Sequence, residues 1–62
     1  MFEKYYVIQW RLREGDKWET LPTRYPTLDE ARVHAKNNRY PLGKYYRIAE
    51  AYVQIRYKAV PL

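Results

Sequence analysis

Along residues 5–12 the side chains Tyr6, Ile8, Trp10 and Leu12 alternate with Tyr5, Val7, Gln9 and Arg11. A period of two is that of a half-buried strand, so this segment is expected to be a strand with its even positions on the core face. Glu14-Gly15-Asp16-Lys17 follows, and Gly-Asp suits the centre of a two-residue hairpin loop because glycine reaches positive φ without a steric penalty. A return strand over residues 17–23 is implied. With that loop, Arg13 faces Trp18, Leu12 faces Glu19, Arg11 faces Thr20 and Trp10 faces Leu21, which puts Trp18 on the outer face beside two arginines. A three-residue loop would move Trp18 to the core face. Pro22 has no N–H for the ladder, so the second strand is expected at a sheet edge.

The period then changes. Thr27-Leu28-Asp29-Glu30 has the Thr-x-x-Glu form of a capping box, directly after Pro26, and acids in a first turn suit the positive end of a helix. The helix is expected to run to about Asn38, with Leu28, Ala31 and Ala35 as its inward stripe and Pro41 forbidding continuation. Pro41-Leu42-Gly43 makes a turn. Residues 45–60 contain no further glycine, proline or asparagine, so no turn chemistry supports a hairpin there. The spacing of Ala49, Ala51, Val53, Ile55, Tyr57 and Ala59 predicts one long final strand with these residues on the core face. Ile48 is out of phase with them, which suggests a bulge near residues 49–51. A second helix also fits the spacing of Ile48, Ala51, Tyr52, Ile55 and Ala59, but β-branched and aromatic content favours the strand.

These elements define an α+β fold of ββαβ type. Its expected form is a three-stranded antiparallel sheet in the order 2-1-3 with one helix packed on one face. At 62 residues a single domain spanning residues 1–62 is expected. So small a core often needs a disulfide, a metal or a partner. The chain has no cysteine and one histidine, and its acids show no ligand spacing, so neither a disulfide nor a metal is expected. Eight tyrosines, two tryptophans and one phenylalanine supply packing area instead, with Tyr6 and Tyr57 assigned to the core and Tyr5 and Tyr52 to the exposed face. No stretch has the length and apolarity of a membrane span, and no signal peptide is seen, so the expected location is cytoplasmic.

The candidate chemistry is that of binding. The chain has no serine, no cysteine, three threonines and one histidine, so it offers no nucleophile–base pair, and no catalytic residue or cofactor is expected. Glu30 and His34 sit four residues apart, the spacing of an ordinary surface helix pair. Twelve Lys and Arg against seven Asp and Glu give a formal charge of +5, which favours acidic partners. Tyr5, Arg11, Arg13, Trp18, Tyr52, Arg56 and Lys58 are the candidate binding residues, on an outer face, away from the helix, that they share with Val7, Gln9, Thr20 and Gln54. Rings interleaved with cations suit phosphate contacts and base stacking. A second basic stripe is expected on one helix flank, from Arg32, Lys36 and Arg39 on to Lys44 and Arg47.

The stretch Arg24-Tyr25-Pro26-Thr27-Leu28-Asp29-Glu30-Ala31 resembles the strand-to-helix junction of arm-type DNA-binding domains of phage integrases. The resemblance covers about eight residues, and those domains place three strands before the helix where two are expected here. It implies DNA as a partner and a small bacterial or phage protein. The expectation is therefore a non-enzymatic binding module for nucleic acid, the alternative being a protein-interaction or homodimerisation module.

Overall fold

A computed structural model describes residues 4–52 and 56–62. The chain order is β1 (Lys4–Trp10), β2 (Glu19–Thr20), α1 (Leu28–Asn37), β3 (Tyr46–Tyr52) and β4 (Arg56–Ala59). The four strands form one antiparallel sheet in the order β2-β1-β3-β4, curled into a half-barrel. The α+β class and the central position of β1 follow the sequence reading, whereas the strand count does not.

The expected long final strand is two strands. β4 pairs antiparallel with β3, with Ala49 opposite Ala59 and Ala51 opposite Tyr57. Nothing in the local turn chemistry announces this pairing. What favours it is the ladder itself: as the last strand β3 would be an edge, whereas between β1 and β4 its backbone groups are paired on both sides. The β1–β3 ladder runs unbroken from Lys4↔Tyr52 to Trp10↔Tyr46, so the expected bulge at residues 49–51 is absent. Val53, Gln54 and Ile55, for which a strand conformation is expected, lie outside the described residues.

The phase of the last segment is also inverted. Ile8 and Ile48 face each other across the ladder and pack with Tyr25, Ala31 and Ala35 into the core beneath α1. Ala49 and Ala51 are fully buried, but on the other face, with Val7 and the ring of Tyr5. Tyr57, assigned to the core, is 46% exposed, and Ala59 is exposed as well. Tyr6 does pack against the main core.

The first hairpin turns earlier than the sequence suggests. The N–H of Asp16 donates to the carbonyl of Arg13 at 3.0 Å, and Gly15 has φ of 91°. The turn centre is thus Glu14-Gly15, with glycine third as a type II turn requires, rather than Gly15-Asp16. Trp10 consequently faces Glu19 and Gln9 faces Thr20, a shift of two residues from the expected pairing. A shift of two preserves the face of every side chain. β1–β2 pairing ends after the Leu21 N–H donates to the Ile8 carbonyl at 2.9 Å; residues 22–24 bulge out before Tyr25 rejoins β1 opposite Tyr6, with N···O distances of 2.7 and 2.8 Å.

α1 begins as the capping box requires: Thr27 is extended, and its side chain accepts the Glu30 N–H at 3.2 Å. Ala31 and Ala35 are buried with almost no exposure, and their small side chains let the helix approach the sheet closely. At the other end the Arg39 N–H donates to the Lys36 carbonyl and the Tyr40 N–H to the Ala35 carbonyl. This is a Schellman ending, and its left-handed residue is Arg39, with φ of 57°. Tyr40 then stacks on Tyr46, ring centroids 4.9 Å apart.

Candidate functional site

The surface that gathers the most chemistry is the sheet face away from α1, at the end where β1 leads into the hairpin turn. Gln9 is central to it. Its side chain is polar and only 3% exposed, and both ends of its amide are used: Nε2 donates to Thr20 Oγ1 at 3.0 Å, and Oε1 accepts from Arg47 Nε at 2.7 Å. One buried amide therefore ties β1 to β2 on one side and to β3 on the other.

Arg11 lies two residues further along the same face. Its backbone N–H donates to the Tyr45 carbonyl at 3.0 Å, extending the β1–β3 pairing by one step. Its Nε donates to the Lys44 carbonyl at 2.8 Å. Trp18 falls opposite Arg11 in the register set by Trp10↔Glu19. The guanidinium carbons of Arg11 and Arg47 lie 4.2 and 4.3 Å from the Trp18 ring centroid, a double cation–π arrangement. Burial lowers the pKa of Arg47, and the neighbouring Arg11 charge lowers it further. Among the described residues neither arginine has a carboxylate within ion-pair distance. In the turn, Glu14 pairs with Lys44 at 3.4 Å.

The seven candidate residues divide between the two faces. Tyr5, Arg11 and Trp18 share the outer face. Tyr5 is half-buried, with the Arg24 guanidinium carbon 4.5 Å from its ring centroid, and it belongs to the minor core. Arg13 projects from the turn and pairs with Asp16 at 3.7 Å. Tyr52, Arg56 and Lys58, expected on the outer face, lie on the face that carries α1, because the register puts Tyr52 beside Lys4 and Arg56, and Glu50 beside Lys58. There Lys4 Nζ donates to Glu50 Oε1 at 3.0 Å, and the Tyr52 hydroxyl donates to Glu50 Oε2 at 3.3 Å. The hydrogen bond and charge of Lys4 hold Glu50 below the ordinary carboxylate value, and Glu50 in turn raises Lys4.

Arg47 is the residue that sequence reasoning misplaced. It was expected to continue the basic helix flank, yet it stands on the sheet face beside Gln9. The signal that finds it is the pairing of Ile8 with Ile48: once these two apolar residues oppose each other, Gln9 must face Arg47. On the helix, Arg32 and Lys36 are exposed. His34 lies against Tyr25 with ring centroids 5.0 Å apart. Both line a shallow groove of about 510 Å³ with Asp29, Glu30 and Val33. Its acids, Asp29 and Glu30, make it unsuited to anionic ligands. Among the described residues no group of three His, Cys, Asp or Glu side chains is placed to hold a metal ion, and no helix is long and apolar enough to cross a membrane.

Comparison with known protein families, with curated proteins and with solved structures finds no match to this chain.

Proposed function

We propose that this protein is a non-enzymatic binding module that engages nucleic acid through the outer sheet face, centred on Arg11, Trp18 and Arg47. The observation that carries this reading is the pair of guanidiniums held at one indole with no carboxylate partner among the described residues. A charge of +5 adds a long-range attraction for polyanions. Tyr5 lies on the same face, four residues along β1 from Gln9. Arg56 and Lys58 lie on the opposite face and are not part of this contact. Titration with labelled oligonucleotides at two salt concentrations tests the reading. Binding at low salt that weakens steeply as salt rises is expected. Absence of binding at low salt, or affinity indifferent to salt, rejects it.

A protein-interaction reading has one observation of its own. β4 is an edge strand with all four residues exposed, and among the described residues it pairs only with β3. An extended partner segment could add there. Self-pairing is opposed by the charges of Arg56 and Lys58, which guard the edge. Sedimentation at high concentration tests the homodimer version, and a strict monomer removes it.

A further inference from the structure

Each arginine beside Trp18 is anchored through its Nε, Arg11 to the Lys44 carbonyl at 2.8 Å and Arg47 to the Gln9 side chain at 2.7 Å. The terminal nitrogens of both guanidiniums accordingly make no hydrogen bond among the described residues. Both guanidinium carbons lie within 4.3 Å of one ring centroid. Two positive forks are thereby tethered at one indole ring. We infer that this cluster is a seat for backbone phosphate, in which Arg11 and Arg47 bind the phosphate oxygens and Trp18 supports the two cations instead of stacking on a base. The inference rests on the nucleic-acid reading and specifies which part of the polymer is read.

Three arguments support it. A guanidinium fork matches phosphate oxygens geometrically, and one whose Nε is already tethered loses less freedom on binding. The two arginines repel each other, and Arg47 is also partly desolvated. Backbone phosphates bound one to each fork relieve both costs. The π-electrons of Trp18 are engaged by the two cations, so a stacking base has to compete with them. The acids of the turn are paired with other cations, Glu14 with Lys44 and Asp16 with Arg13. Recognition of this kind is indifferent to sequence.

The test compares a labelled oligothymidylate with an abasic strand of equal length, which keeps the phosphates and lacks the bases, on the full chain. The abasic strand is expected to bind within about threefold of the native one, whereas loss of stacking on even one base would cost about fivefold or more. Arg11→Gln is expected to lower the slope of log affinity against log salt by about 0.7, the value for one lost phosphate contact on a single strand. Arg47→Lys keeps the charge but loses the fork, so affinity falls while the slope stays. Thermal melts establish that both variants fold. If the native strand binds and the abasic strand is lost, the phosphate seat is wrong and the nucleic-acid reading stands; if both variants bind as the parent does, nucleic acid is held elsewhere on the chain, and the seat and the choice of this face fail together. If neither strand binds at low salt, the nucleic-acid reading fails and takes the seat with it.

Discussion

Arg39 occupies the left-handed position that closes α1, where a side chain is strained and glycine is not. Arg39→Gly should therefore stabilise the protein by about 0.5–1 kcal/mol, read as a higher urea midpoint at unchanged m-value. Gln9 has the opposite character. Its amide satisfies Thr20 and Arg47 at once, so Gln9→Leu leaves Arg47 Nε without its acceptor in a partly desolvated position. A loss of about 1–3 kcal/mol in urea unfolding is expected. The alternation along β1 shows that Gln9 faces away from the helix, but its burial is not legible locally. That burial arises because Arg47 and Thr20 arrive from segments distant in sequence and close over it. Trp18 illustrates the complementary case: the sequence leaves its face open between a two-residue and a three-residue loop, and the observed register differs from the two-residue pairing by an even number of residues, which puts Trp18 on the outer face.

The helix is the element the sequence defines best, because its signals are local. Thr27, Glu30 and the small residues Ala31 and Ala35 specify its start and its buried side within a few positions of one another. Thr27→Ala removes the acceptor for the Glu30 N–H and should cost about 1 kcal/mol by thermal or urea unfolding. The β3–β4 pair is the element that sequence reading misses. Its strands are joined without glycine, proline or asparagine, and Ala49 and Ala51 look like core residues while lying on the face opposite Ile48. Both faces of β3 carry buried residues, so a pattern of two no longer identifies the helix side. The same ambiguity sent Tyr52, Arg56 and Lys58 to the wrong face and hid Arg47.

At the scale of the molecule, the Lys4–Glu50 pair joins strands whose residues lie 46 positions apart in sequence. Glu50 is held below the ordinary carboxylate value, so its contribution to stability is present above that value and fades as pH falls through its lowered one. Lys4 is raised, so its contribution holds below the ordinary lysine value and is lost as pH rises through the raised one. Lys4 is half exposed and Glu50 only partly buried, so the effect is small and screened by salt. Glu50→Gln should flatten the acid limb of the stability profile, measured by urea unfolding between neutral and acid pH at low salt. The cluster at Trp18 is assembled from comparably distant parts: the indole and Arg11 come from the first hairpin, and Arg47 comes from β3. Arg47 reaches the ring only when β3 docks on β1, a closure slowed by the entropy of the long intervening chain. Trp18 is thus a native clock for β1–β3 closure, and in a Trp10→Phe background its emission in stopped-flow refolding should change later than the helix signal in far-UV circular dichroism.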